Sequence, residues 1–374
     1  MGGDLRTIAL RYKSIVVIAA DFPNNLIDFK RKFSSERACL NYIRKQRWGS
    51  ETGFICPKCK HDKCYEGKSR HILYCAKCKH QASITAGTAY HGTRKALEKW
   101  FWAMFLVASS KQGISAKELQ RQLGFGSYQT AWTWLHKLRS FMVLPDRKPL
   151  RGAVEVDESY IGGEAPGTAR GRSVIKKTAV ACAVEIIAGR GMGRIRLGVI
   201  KNASKEKLEA FVKGELEPES IVHTDGWRGY LGIERSGFAH IRTISPPKES
   251  HIHFPRVHRV FSLLKRWVLC THQGAVSRKH LQSYLDEYVF RFNRRTAKET
   301  TSRIFQTLAE SAVSSQSKPY WKLVGRVKGG QSMRQDMSLL DIMGEPHDRR
   351  LSSEDIMAAE AEWQESNNPR FNSV

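Results

Sequence analysis

No stretch of this 374-residue chain approaches the ~18 consecutive apolar residues that a membrane span needs, so a transmembrane protein is not expected. A secretory leader is not expected either. IVVIAA, at 15–20, follows basic residues but is shorter than a usual signal core and has no convincing cleavage site. Internal repeats and low-complexity blocks are absent, which excludes a repeat array. Acidic residues are scarce: 36 Asp and Glu stand against 62 Lys and Arg, a formal charge of +26. Solubility alone does not need so large an imbalance, and a polyanionic partner accounts for it. The scarcity ends at the C-terminus, where 331–374 holds nine acidic and four basic residues, net −5, leaving +31 on residues 1–330. The tail is therefore not part of the basic surface. Cysteine is also too sparse, at eight residues in so long a chain, for a small disulfide-stapled module. Four of the eight form two tight CxxC pairs, which in a reducing compartment read as metal ligands, and a cytoplasmic location is expected.

What is present falls into segments of different character. Residues 1–23 carry no usable periodicity. The first helical pattern places Leu26, Phe29, Phe33, Cys39, Tyr42 and Ile43 at helical spacing, and with the cysteine module it defines a region 24–90. A helical region, 91–148, follows; its aromatics Trp100, Phe101, Trp102 and Phe105 read as core rather than as a stacking platform. PDRKP, at 145–149, is the clearest linker. Beyond it, AVEVDESYIGG, KKTAVACAVEII and GRIRLGVIKN read as three sequential strands with Gly-rich turns. Then come a helix (SKEKLEAFVKGEL), a strand (SIVHTDGW), a shorter strand near IRTI and two long helices. That order predicts an α/β domain with a mixed sheet over 149–300, ahead of a C-terminal segment, 301–374.

Cys56, Cys59, Cys75 and Cys78 form C-x2-C-x15-C-x2-C. Two such knuckles place four thiolates around one tetrahedral Zn²⁺, and the metal supplies folding energy that so short a stretch cannot draw from a core. Cys64 falls off the pattern and reads as a spare small residue. Lys58, Lys60, Lys63, Lys68, Arg70, Lys77 and Lys79 surround the ribbon, which points to DNA contact. In ISAKELQRQLGFGSYQTAWTWLHKLR, Ile114, Leu119 and Leu123 suit a first helix, Gly124–Gly126 a turn, and Ala131, Trp134, Leu135 and Leu138 a second. As a helix-turn-helix, the second helix would present Tyr128, Gln129, Thr130, Thr133, His136 and Lys137. Gln129, Thr133 and Lys137 are the expected DNA contacts. An ordinary helical hairpin has the same pattern.

Asp157 and Asp225 each follow a strand-like run and precede a Gly-containing turn. If those strands are neighbours, both carboxylates converge at one sheet end, offering the hard oxygen ligands that Mg²⁺ or Mn²⁺ requires and that phosphoryl transfer exploits. Taken alone, an Asp at a strand end is usually a turn or cap residue. From Arg256 to Arg295 nine Lys and Arg outnumber two acidic residues, interleaved with Phe, Tyr and Trp. Such a stretch suits a DNA strand, with Arg259, Arg266, Arg294 and Arg295 as candidate contacts.

NLIDF, the RW before CPKC, VEVDESYIGG, HTDGWRGY, FSLLKRW and HLQSYLDEYVFRFNRR carry a resemblance over roughly 24–300. The chain resembles zinc-ribbon insertion-sequence transposases with an ISXO-like DDE domain. The resemblance implies an RNase H-like catalytic fold, two divalent cations, and DNA strand cleavage followed by transfer of a 3′-hydroxyl to target DNA. Double-stranded DNA, as element ends and target, is then the partner, with a homo-oligomer assembling on it. Asp157 and Asp225 fall on the family's first two acidic positions. Many relatives carry Glu or Asn seven residues before the Lys of the SLLKR segment, where this chain has His258 before Lys265. The implied site is therefore Asp157, Asp225, His258 and Lys265. Positions seven apart on a helix share a face about 10.5 Å along its axis, and Val257, Phe261, Leu264 and Val268 form a separate apolar stripe. Glu249 and then Glu158 are rivals for a third carboxylate. A DNA-binding regulator without catalysis, a nuclease that cuts without joining and a cysteine redox enzyme remain as alternatives.

Overall fold

The computed structural model describes residues 22–67, 71–144, 147–162, 177–188, 191–244, 250–274, 276–296 and 300–324. IVVIAA, Lys68, Arg70, Glu249 and the acidic tail lie outside them. The chain divides after Lys318, and the described part of the second unit holds a short helix, Tyr320–Leu323. No helix among the described residues is long and apolar enough to cross a membrane.

The first helical stretch of the sequence is two helices, α1 (Leu26–Lys32) and α2 (Glu36–Trp48). Each has its own cap: Asn25 accepts from the Asp28 amide at 2.9 Å and Ser35 from the Ala38 amide at 3.3 Å. The Ser35 cap is why one continuous apolar pattern breaks after Phe33. Phe33 and Tyr42 then pack on Phe101 of α3 (Leu97–Ser109), Phe29 packs on Trp102 and Phe105 of the same helix, and Trp100 stacks on Trp134 at 3.8 Å, so the aromatic stretch is core as its spacing predicts. Helix α4 (Ala116–Leu123) starts at the Ser115 cap and ends at Gly124, whose φ of +61° needs glycine. Helix α5 (Tyr128–Ser140) packs against it.

The α/β part is a five-stranded sheet in the order β6-β5-β4-β7-β8. Its strands are β4 (Ala153–Ile161), β5 (Thr178–Ile187), β6 (Gly191–Ile200), β7 (Ile221–Thr224) and β8 (Ala239–Arg242). β4, β5 and β6 pair antiparallel, while β4, β7 and β8 pair parallel, the mixed sheet expected from the element order. β5 is buried on both faces, hence its unbroken apolar run. β4 alternates: Val154 and Val156 pack under α6 (Lys205–Glu215), and Glu155 and Asp157 face α7 (Pro255–His272). Helix α8 (Leu281–Phe292) covers the open side of β6. Gln282 accepts from the Val199 amide at 2.8 Å, and Asn293 bonds both the amide and the carbonyl of Ile195, so the sheet edge keeps few free groups.

Two features cross the sequence-based boundaries. Helix α9 (Thr300–Ser314) returns to the N-terminal helices, and Phe305, Leu308, Ala309 and Ala312 join Phe29, Phe33 and Phe101 in one core. A segment beginning at 301 thus completes the first domain. The second is a buried ion cluster joining α5 to α8. Glu287 accepts from Arg139 Nε at 2.8 Å and Arg291 Nε at 2.9 Å, and Arg291 also donates to the Val107 and Ser110 carbonyls at the end of α3. Burial pushes Glu287 up, but Arg139 and Arg291 outweigh it and hold the carboxyl down to about 2. A Cβ at Gly113 would lie 2.9 Å from Glu287 Oε1, so the cluster also requires that glycine.

Two imidazoles are sealed into the same interface. The His136 ring packs between Trp132, His280 and Tyr284, and Nε2 of both His136 and His272 is buried without a hydrogen-bond partner. Burial, then the Arg139 charge, holds His136 down to about 2 and His272 to about 4. Unfolded imidazoles protonate near 6.5. The stability that depends on their neutrality is thus complete above pH 6.5 and is lost as pH falls towards the folded values. The expected outcome is an unfolding free energy, from denaturant titrations, that drops between pH 6.5 and 4.5 with a slope approaching about 1.4 kcal/mol per pH unit for each histidine. His136→Phe should flatten it; an unchanged slope in that variant would place the titration elsewhere.

Candidate active site and zinc ribbon

The ribbon is a three-stranded antiparallel sheet, β1 (Cys64–Glu66), β2 (Ile72–Cys75) and β3 (Gln81–Ser83), with a knuckle before β1 and another after β2. The knuckles repeat one geometry: Lys60 N donates to Cys56 O and Lys79 N to Cys75 O, with φ of +63° at Lys60 and +56° at Lys79. The four sulfurs lie within 4.8 Å of one another, with Cys56–Cys78 at 3.6 Å and Cys59–Cys75 at 3.5 Å. Tetrahedral Zn–S bonds of about 2.3 Å set sulfurs about 3.8 Å apart, so the group fits one structural zinc. Cys64 is outside it. Arg44, buried on α2, ties the ribbon down through the Thr52 carbonyl (2.8 Å) and Glu66 (3.1 Å), and Glu66 also takes two bonds from Arg37.

In the sheet, Glu155 pairs with His223 across the parallel β4–β7 ladder, and the same register carried two residues further brings Asp157 level with Asp225. Asp225 follows the end of β7 as the sequence pattern predicts, but Asp157 does not end its strand. β4 runs on to Ile161 because its antiparallel pairing with β5 continues past the point where β7 stops. The Asp225 carboxylate accepts from the Trp227 amide at 3.0 Å, and the Asp157 carboxylate from the Glu158 amide at 2.8 Å. Behind Asp225, the buried Thr224 hydroxyl bonds His240 Nε2 at 2.8 Å, and His240 Nδ1 meets Glu234 at 2.7 Å, which steadies the strand end.

Helix α7 lies across this face. Its N-terminus has no side-chain cap of its own; instead Glu155, 2% exposed, accepts the Arg256 and Val257 amides at 3.0 Å each and the Arg256 guanidinium at 2.7 Å. This cap from the strand sets His258 Nε2 4.0 Å from Asp157 Oδ2. Lys265 stands on the same helix. Burial and the Lys177 charge lower its pKa, while Asp157 acts in the opposite sense. Burial also raises Asp157 to about 7, with the Glu158 and Asp225 carboxylates adding to the effect. Glu158 points to the other face of β4, where it accepts from the Tyr230 hydroxyl at 2.6 Å. Asp157, Asp225 and His258 do not all approach within 4.8 Å, since only the cysteines do so among the described residues. Two hard carboxylates and an imidazole, with excess buried negative charge, fit Mg²⁺ or Mn²⁺.

The other sequence-predicted residues separate into two groups. Gln129 is exposed on α5 and Arg259 and Arg266 on α7, and Lys137 is half-buried with its ammonium 5.7 Å from the Trp100 ring. Thr133 and His136, in contrast, face inwards: the Thr133 hydroxyl donates to Gln129 O at 2.6 Å, and His136 is sealed beneath α8. Arg294 stacks on Phe290 at 3.8 Å, and Arg295 donates to the Met192 and Gly193 carbonyls of β6, so both guanidinium groups serve the packing of α8. The polar pattern of the sequence could not show that α8 covers one side of α5.

Two measurements follow from this geometry. Cys56→Ser with Cys59→Ser should abolish stoichiometric zinc and unfold the ribbon, detected by metal analysis and proteolysis; a native digestion pattern without zinc would refute a structural metal. Glu155→Gln keeps the shape of the helix cap but removes its charge from Arg256. It should destabilise the fold by about 3 kcal/mol, as breaking a buried ion pair does, with an unchanged denaturation midpoint as the contrary result.

Residues 149–293 match the family described as ISXO2-like transposase domain, and residues 34–81 match the family described as transposase zinc-ribbon domain. An uncharacterized protein in transposable element ISH50 of Halobacterium salinarum is 26% identical over 296 residues, covering 74% of this chain and 98% of that protein. An uncharacterized transposase-like protein of Haemophilus influenzae is 26% identical over 117 residues, 31% of this chain and 94% of its own length. Both domains lie where the cysteine group and the Asp157–Asp225 sheet were found, and the chain belongs to the insertion-sequence DDE transposases that carry a zinc ribbon and an ISXO2-like transposase domain.

Proposed function

We propose that this transposase binds the ends of its insertion sequence and catalyses divalent-cation-dependent cleavage of the DNA strand and its transfer to target DNA, from an RNase H-like fold. The observation that carries the reading is that His258 of α7 stands 4.0 Å from Asp157 of β4, whose register with β7 puts Asp225 level with it. Asp157 and Asp225 would hold Mg²⁺ or Mn²⁺, with His258 as a neutral third donor. A cation bound there neutralises charge on the scissile phosphate and makes the attacking oxygen a better nucleophile. The protein's own part is positioning. Lys265 holds a phosphate oxygen, and the exposed Arg259 and Arg266 guide the strand along α7. Water attacks the phosphodiester in line, releasing a 3′-hydroxyl, and that hydroxyl then attacks a target phosphodiester in the same sense. The ribbon lysines with Gln129 and Lys137 of α5, used as a helix-turn-helix, bind the duplex, and the active assembly on DNA is a homo-oligomer.

The test is incubation of the full chain with its own flanking DNA ends and Mg²⁺ or Mn²⁺, mapping cut and joined strands. Asp157→Asn and Asp225→Asn should each lower cleavage and joining at least on the order of a hundredfold, the scale seen when transition-state charge stabilisation is lost, while end binding persists. His258→Ala should slow the chemistry and His258→Glu should retain part of it, both with normal melting temperatures. Cleavage without joining would show a nuclease. Specific binding without cleavage would show a regulator.

A further inference from the structure

Beside the carboxylates stands a side chain that the proposed chemistry leaves unused. Trp227 is 48% exposed, and among the described residues it is the tryptophan most open to solvent. It is nevertheless held in place. Its amide donates to Asp225 Oδ1 at 3.0 Å, and its indole Nε1 donates to the Ala203 carbonyl at 2.9 Å. The ring lies close over Gly229, where a Cβ would come within 2.6 Å of Nε1 and 2.8 Å of Leu208 Cδ1. Pinning the turn to the 201–204 loop needs only the Nε1 edge. It does not account for an open π face, on which no aromatic ring of the described residues packs.

The surroundings match one class of ligand. Arg228 is exposed next in sequence, Lys201, Lys205 and Lys207 flank the loop that anchors the indole, and Arg242 donates to the Gly226 carbonyl. Ile244, 76% exposed, lies 3.4 Å from the position of a Cβ on Gly226, so an open apolar side chain adjoins the same turn. A fixed aromatic face with apolar and cationic neighbours is the construction that stacks bases and tracks the phosphates between them. Asp157 is recessed, its side chain 19% exposed, so a phosphodiester that reaches it must leave the regular stack of a duplex. A base displaced in this way needs a surface that replaces its lost stacking.

We propose that Trp227 is a stacking platform for an unpaired nucleobase of the strand whose phosphate enters the Asp157–Asp225 site. This rests on the transposase chemistry proposed above and adds a base-binding site to it. Because the ring is already ordered, stacking costs little conformational entropy. The platform acts on any base, so it favours frayed or unpaired ends over sealed duplex without reading sequence.

The probe is a DNA duplex of arbitrary sequence with a four-nucleotide single-stranded tail carrying 2-aminopurine, compared with the same duplex blunt-ended, without added Mg²⁺. The full chain should quench the tail fluorescence and bind the tailed DNA more tightly than the blunt. Trp227→Ala should lose the quench and bind tailed DNA about tenfold more weakly, with blunt-duplex affinity unchanged; Trp227→Phe should keep most of both. Equal quench and equal tail preference in wild type and Trp227→Ala would overturn the proposal. So would a wild-type protein that does not quench, which decides the matter even if Trp227→Ala fails to fold. Mg²⁺-dependent cleavage by the wild type, assayed in parallel on the element's ends, separates the two claims. Quench without cleavage leaves base binding standing and removes the transposase chemistry, whereas cleavage without quench removes the platform alone.

Discussion

A buried carboxylate fixes where helix α7 begins over the sheet, and with it the place of His258 beside Asp157. Glu155 lies under the start of α7, where the helix begins at Pro255 with free amides and no cap of its own. Its two oxygens take the Arg256 and Val257 amides and the Arg256 guanidinium together, so a charge that burial would penalise heavily meets a helix N-terminus and a cation at once. Glu155 and Asp157 are two residues apart on one face of β4, and Val257 and His258 are neighbours on α7. Locking the first pair of positions therefore sets the second. The cap thus places the His258 imidazole 4.0 Å from the Asp157 carboxylate.

A second buried carboxylate does for the domains what Glu155 does for the site. Glu287 of α8 joins Arg139 of α5 to Arg291, and Arg291 in turn satisfies the last carbonyls of α3. Trp267 and Thr271 of α7 add bonds to Gln112 O between α3 and α4. The helices that follow the ribbon are thus fastened to the two helices that cover the five-stranded sheet.

How much of this was legible in the sequence depended on the range of the interaction concerned. The cysteine spacing needed only local knuckle geometry, and the β-branched runs needed only period-two burial, so both were readable. Asp157 and Asp225 were readable as a pair once their strands were taken as neighbours, though β4 continues past Asp157 because β5 keeps pairing with it. The failures are long-range. Thr133 and His136 look like groove-reading residues on a helical wheel, and only the arrival of α8, about 150 residues later, buries His136. Arg294 and Arg295 carry the charge expected of a DNA contact but spend their donors on α8 and β6. The return of α9 to the first core left a helical stripe in the sequence with nothing to say which surface it would meet.

The distribution of arginine separates structural carboxylates from the others. Glu155 has Arg256, Glu185 has Arg194, Glu215 has Arg147 and Arg196, and Glu287 has Arg139 and Arg291, each pair within 3.0 Å. Where that pairing dominates, as at Glu185 and Glu287, the carboxyl titrates below its ordinary range in spite of burial. Asp157 and Glu158 are also substantially buried, yet burial raises both and each adds to the negative field about Asp225. A chain with 62 basic residues does not lack cations to place there. Lys265 feels the Asp157 charge, but burial and the Lys177 charge oppose it. A folded protein tolerates such a deficit where the charge is completed by something other than its own side chains, and two carboxylates with an imidazole are the donor set for a divalent cation on a phosphate. The same imbalance is what favours the proposal that a divalent cation completes this corner of the sheet.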